Sequence, residues 1–263
     1  MTSTAGGSRT GTSEEPQLGS GARVAIPVMK RILLMISAVS LLLALAPAAS
    51  ARVVELGALP NSTVKPSCPT DPCEAAVRVT AMQGRAAGGR KNPYYIRGDG
   101  YIVAFTVQLS MPSAEQIGFF NDNFGSPAQV RLSVLRRGDK RKTRLNYRLV
   151  AQTDLYDVDR YFGSSPTFVL DRPLRVKKTN WIAITVPTWA PMFANNLTNA
   201  DWWRSSRAKG RCEPPRSLDQ FAMQELRDVN VFGCTYHSAR LLYTATYVPD
   251  PKPTVKSDTD EPN

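Results

Sequence analysis

The chain has 263 residues, and once a leader is set aside the remainder suits one domain with a sizeable core. Its formal charge of +11 suits contact with anionic polymers, although positive charge alone also serves solubility and specifies no nucleic-acid site. A single histidine excludes the multi-histidine centres of most zinc hydrolases, and no cofactor is expected.

Residues 1–28 are rich in Gly, Ser and Thr without an apolar period, as an upstream start or a disordered extension would be. Residues 29–51 read as an export signal. Lys30 and Arg31 form its positive head, residues 32–46 its apolar run, and Ala49-Ser50-Ala51 a cleavage site. The alternative keeps residues 32–50 as an uncleaved anchor, with Arg23, Lys30 and Arg31 on the cytoplasmic side. Only then is the membrane a partner. Either reading places the folded part outside the cytoplasm.

Residues 52–65 are expected to be a flexible lead-in to a folded region at 66–248. All four cysteines, Cys68, Cys73, Cys212 and Cys234, lie in that region. An even count in an oxidising compartment points to two disulfides with three conceivable connectivities. Cys68–Cys73 with Cys212–Cys234 is favoured, because each pair brackets a polar segment bearing Pro or Gly. Zinc ligation is disfavoured by the absence of any C-x-x-C spacing, so no metal is expected.

Two-residue alternation dominates this region, and it puts successive side chains on opposite faces of a strand. Strands are predicted at 74–82, 101–110, 130–134, 145–149, 167–170, 174–176, 181–186 and 240–248. In 101–110 the expected inner face is Tyr101, Val103, Phe105, Val107 and Leu109. In the last strand it is Leu241, Tyr243, Ala245 and Tyr247. The run RRGDKRKT between 130–134 and 145–149 makes those two a hairpin. A capped turn is expected over 113–120, with Ser113 as N-cap and Gln116 three residues on. Phe221, Met223 and Leu226 suggest one short helix over 219–228. Residues 249–263, polar and Pro-bearing, should form a disordered tail. The expected fold class is all-β: a single β-sandwich, jelly-roll-like, with at most one or two short helices.

The aromatic segment 187–207 is the leading candidate for a binding site, because long loops on a β scaffold carry function. Trp189, Phe193, Trp202 and Trp203 can stack on sugar rings, while Asn195, Asn196, Asn199 and Asp201 can bond hydroxyls. The competing reading buries these rings at one end of the sandwich, pinned by Cys212. Arg136, Arg137, Lys140, Arg141, Lys142 and Arg144 crowd the predicted hairpin. They suit an anionic partner, or a solvated tip that discourages edge pairing.

Other motifs carry less weight. His237 lacks a G-x-S-x-G nucleophile elbow to serve, and no catalytic residue is assigned. Asp154, Asp157 and Asp159 are close enough for calcium, but the EF-hand spacing is absent and Arg160 opposes a cation. The Arg-Gly-Asp triplets at 97–99 and 137–139 read as turns. The glycosylation sequons at Asn61 and Asn196 matter only in a eukaryotic secretory pathway.

The leader, the stretch LDRPLRVKKTNWIAITVPTWAP and the closing ARLLYTATY resemble uncharacterised secreted β-sandwich proteins of actinobacterial type, over most of residues 68–248. That resemblance implies export and carries no activity or site residue. The segment FVLDRPLRVKKTNWIAITV is also similar in rhythm to the strand–turn–strand edges of jelly-roll modules. The reading is an exported, non-catalytic protein that binds cell-wall or extracellular polysaccharide, or another anionic envelope polymer, through the aromatic segment. The alternative is a polysaccharide lyase or glycosidase on the same scaffold. A glycosidase needs two carboxyl groups across a cleft, to be drawn from Glu74, Glu115, Glu213 and Glu225.

Overall fold

The computed structural model describes residues 52–58, 64–86, 89, 91–213 and 219–251. In chain order its elements are β1 (Val54–Leu56), β2 (Ala76–Arg85), β3 (Gly100–Val107), α1 (Ala114–Phe124), β4 (Gln129–Arg137), β5 (Asn146–Gln152) and β6 (Tyr156–Asp157). These are followed by β7 (Thr167–Val176), β8 (Asn180–Ala190), β9 (Phe193–Ala194), β10 (Trp202–Ser205), β11 (Val229–Val231), β12 (Cys234–His237), β13 (Arg240–Leu241) and β14 (Tyr243–Pro249). The leader, the sequon at Asn61 and the tail beyond Pro251 lie outside the described residues.

All strand pairs among the described residues are antiparallel. One sheet runs β1-β14-β3-β7 and a larger one β11-β5-β4-β8-β2-β10-β12, with β6 on β4 and a separate β13-β9 pair. Alternation sends Val130, Leu132 and Val134 of β4, and Ile182, Ile184 and Val186 of β8, into the space between the sheets. There they join Ile102, Phe105 and Val107 of β3 and Tyr243, Ala245 and Tyr247 of β14 in one buried cluster. Each fully buried apolar side chain of this kind contributes about 1.5–3 kcal/mol. The fold is an all-β sandwich, as expected. The turn after β7 carries the chain from the small sheet to the large one, because β7 pairs with β3 while β8 pairs with β2 and β4.

The large sheet is covered on its other face as well. Leu135, Trp181, Ala183, Met82, Tyr147 and Leu149 pack there beneath Met223 and Phe232. This explains why both faces of 181–186 are buried. Among those side chains the hydroxyls of Thr80, Thr185 and Ser133 form a buried ladder at 2.8 and 2.7 Å across three central strands. The Met223 amide donates to Thr80 Oγ1 at 2.9 Å and ties the covering segment down.

Four expectations change. The inner face of β3 is Ile102, Phe105 and Val107, while Tyr101 is exposed. Val103 is the extra residue of a bulge, since Ile102 and Ala104 face the consecutive residues Tyr247 and Thr246. Residues 219–228 form no helix. Phe221 bridges to Val79, and the amides of Gln224 and Glu225 bond to the Asp228 carboxylate, leaving Leu226 exposed. The lead-in contributes β1, an edge strand on β14. At the other end β14 runs to Pro249, and Asp250 forks onto Arg175 with two bonds of 2.7 Å.

The expected capped turn is α1. Ser113 Oγ accepts from the Gln116 amide at 3.2 Å, and Gln116 Oε1 accepts from the Ser113 amide at 2.9 Å. Both favoured disulfides, Cys68–Cys73 and Cys212–Cys234, are formed. They fit an extracytoplasmic environment. No helix among the described residues is long and apolar enough to cross a membrane.

Candidate functional site

The aromatic segment 187–207 is not one loop. It finishes β8, supplies β9 and β10, and distributes its candidate residues over different tasks. Trp189 is fully buried, stacked on Phe120 at 4.8 Å with Nε1 donating to Asn121 Oδ1 at 2.9 Å. It therefore fastens α1 to the sheet and offers no surface to a ligand. Asp201 is buried against Arg240, whose Nη2 stands 2.6 Å from Oδ1, and it also accepts from Thr198. Asn195 donates to the Pro72 carbonyl at 3.0 Å, bracing the first disulfide loop. Asn196 is exposed at φ 56°, a left-handed position that Asn tolerates. Trp202 is half-buried against the backbone of Gly84.

Phe193 and Trp203 do meet at a concave surface. A groove of about 680 Å³ is walled by Phe119, Phe120 and Phe124 of α1, with Phe193, Trp203 and Tyr236 opposite. Trp203 stacks on Tyr236 at 4.2 Å and leans on Phe193 at 4.9 Å. Phe119 is 58% exposed, and Phe124 and Tyr236 are partly so. Both disulfides border the groove through Cys73 and Cys212, and the exposed carboxylates Glu74 and Glu213 line it too. The walls hold one another. Gln116 Nε2 donates to the Pro69 carbonyl at 3.0 Å, and the Tyr236 hydroxyl donates to the Cys212 carbonyl at 2.9 Å.

Arg207 also lines this groove, although only 4% of it is exposed. Nη1 donates to the Tyr236 hydroxyl at 3.0 Å and Nη2 to the Val77 carbonyl at 3.3 Å. Nε has no partner among the described residues. Such a floor can take the apolar faces of a ring and one acceptor group. Arg207, Tyr236, Phe119, Phe120 and Phe124 lay outside the sequence-based candidates. The one available signal was the adjacent pair Phe119-Phe120 on a short helix, since neighbours in a helix point about 100° apart and cannot share a buried face.

The basic hairpin forms as expected from β4, a 3₁₀ turn at Arg141–Thr143, and β5. Arg136, Arg137, Lys140, Arg141, Lys142 and Arg144 are all exposed. Arg136 and Arg137 line a polar hollow of about 560 Å³ together with Arg148, which is the direct cross-strand partner of Arg136. Lys140, Arg141 and Lys142 stand outside that lining. Beneath the hairpin, burial pushes the Tyr147 phenol up, with Arg137 and Arg204 pulling the other way.

The remaining motifs serve the fold. His237 is exposed, with Nδ1 3.2 Å from the Asn199 carbonyl. Asp159 accepts from the Ala128 amide and Asp157 from the Gln129 side chain, both at 2.9 Å. Gly98 and Asp99 of the first Arg-Gly-Asp triplet offer their carbonyls to the Tyr247 hydroxyl. Among the described residues no group of three or more His, Cys, Asp or Glu is placed to hold a metal ion. Compared with known proteins, the chain matches no family model, no curated protein and no solved structure.

Proposed function

We propose that this chain is an exported, non-catalytic binding module that holds a strand of cell-wall or extracellular polysaccharide in the groove beside α1. The observation that carries the reading is the row of partly exposed rings, Phe119, Phe124 and Tyr236, along one open groove. Sugar rings present apolar C–H faces that stack on such aromatics. Both disulfides, the export signal at 29–51 and the resemblance to secreted actinobacterial proteins support a place outside the cytoplasm. The exposed arginines of the hairpin would add a salt-sensitive contact to an acidic polymer.

One observation favours a glycosidase as the second reading, since Glu74 and Glu213 line the same groove. Retention of the exported protein on isolated cell wall and insoluble polysaccharide separates the two. Phe119→Ala, which removes an exposed ring and should leave folding intact, is expected to lower retention about tenfold, as loss of one stacking contact would. Unchanged retention overturns the binding reading. Release of reducing ends that disappears in Glu74→Gln or Glu213→Gln would install the glycosidase instead.

A further inference from the structure

Among the described residues two arginines are buried, and they are treated differently. Arg240 faces the buried carboxylate of Asp201 at 2.6 Å. Arg207 is just as buried, yet no carboxylate of the described residues comes within 4.0 Å of it. Its hydrogen-bond partners, the Tyr236 hydroxyl and the Val77 carbonyl, are neutral. The rings of Phe221 and Tyr236 lie 5.5 and 5.9 Å from its guanidinium carbon, and their faces relieve only part of the charge. A buried cation without a counter-ion is among the most expensive arrangements a fold can keep. Here it lines the aromatic groove with its Nε unused.

We infer that Arg207 receives a carboxylate of the ligand, and that the groove therefore selects a uronate sugar over its neutral counterpart. This rests on the groove being the polysaccharide site. The Nη hydrogens not spent on Tyr236 and Val77 can donate a charge-assisted bond to a carboxylate oxygen at the groove floor. Tyr236, whose hydroxyl already accepts from Nη1, presents its ring to the same groove, so a sugar stacked there has its acid group beside the guanidinium. The two exposed glutamates in the lining set the valence. A singly charged carboxylate meets less repulsion from Glu74 and Glu213 than a doubly charged phosphate would.

The test uses the exported protein, a galacturonate oligosaccharide, and the methyl ester of the same oligosaccharide, with affinity read by calorimetry. The ester keeps every ring and removes the charge. The acid is expected to bind about tenfold more tightly than the ester, the value of one charge-assisted bond. Arg207→Gln should bring the two affinities together, whereas Phe119→Ala should weaken both and keep their ratio. A double variant, Arg136→Ser with Arg148→Ser, separates the share of the preference that the basic hairpin supplies, and the acid is expected to remain the tighter ligand in it. Because Arg207→Gln alters a buried site, its thermal unfolding is recorded alongside, and the acid-to-ester ratio of the unmutated protein stands without it. Equal binding of acid and ester, or a preference that survives Arg207→Gln and vanishes in the hairpin variant, overturns the carboxylate assignment. The groove itself still stands if Phe119→Ala weakens both ligands. If neither sugar binds and Phe119→Ala leaves wall retention unchanged, the groove and the carboxylate fall together.

Discussion

The indole of Trp202 lies directly on the backbone of Gly84, where a Cβ would come within 1.8 Å of Cζ3. Trp202 and its neighbour Trp203 project to opposite faces of β10, so the same strand that presses one indole onto β2 turns the other toward the groove. Glycine is required here by close approach, not by its backbone angles. Gly84→Ala is expected to cost about 1–3 kcal/mol through overpacking. That corresponds to roughly 2–4 °C of melting temperature per kcal/mol in a domain of this size. In a Trp202→Ala background the clash partner is gone, and the same substitution should be close to neutral. Melting temperatures of the four proteins in this cycle check the contact, and an equal cost in both backgrounds refutes it.

The hydroxyl ladder under Met223 supports a second prediction. Thr185 Oγ1 lies 2.8 Å from Thr80 Oγ1 and 2.7 Å from Ser133 Oγ, and all three side chains are fully buried. Thr185→Val keeps the volume and leaves Ser133 with an unmet hydroxyl, at an expected cost of about 1–3 kcal/mol. Adding Ser133→Ala removes the orphaned group and should recover part of that loss. Chemical denaturation of the single and double variants measures it. Simple addition of the two costs would mean that the hydroxyls do not interact.

These two sites also mark what the sequence discloses and what it hides. Alternation in 130–134, 145–149 and 240–248 reported the buried faces faithfully, because the extra residues at their register shifts, Val150 of β5 and Val103 of β3, fall outside these runs. In β3 the extra residue Val103 shifts the inner face from Tyr101 and Val103 to Ile102, while Phe105 and Val107 stay inside as expected, and that bulge exists only through pairing with β14 and β7. The spacing of Phe221, Met223 and Leu226 fitted a helix. What decides for an extended segment is the Thr80 hydroxyl waiting for the Met223 amide, a partner 143 residues away in the chain.

The capping box at Ser113 and both disulfides were legible, since each is set by residues close in sequence. The groove was not. Its walls come from α1, β2, β9, β10, β12 and the chain around Cys73 and Cys212, so no single window of sequence contains it. Tryptophans drew attention to 187–207, yet a large aromatic is as much a packing element as a binding one, and Trp189 is the former.

The end of β14 carries the clearest dependence on pH. Asp250 accepts two bonds of 2.7 Å from Arg175, and this forked pair holds its carboxyl below the usual carboxylate range. Asp99 stands 3.7 Å from the same guanidinium. A carboxyl depressed in the folded state adds stability that is complete above the unfolded value, near 4, and that disappears as pH falls through the lower folded value. The pair is exposed, so salt should weaken it further. Wild type is expected to melt above Asp250→Asn at pH 6, with the gap closing as pH drops below about 4. Melting curves of the two proteins between pH 6 and pH 2 follow that gap. A constant difference across the range would show that the ion pair does not hold the last strand in place.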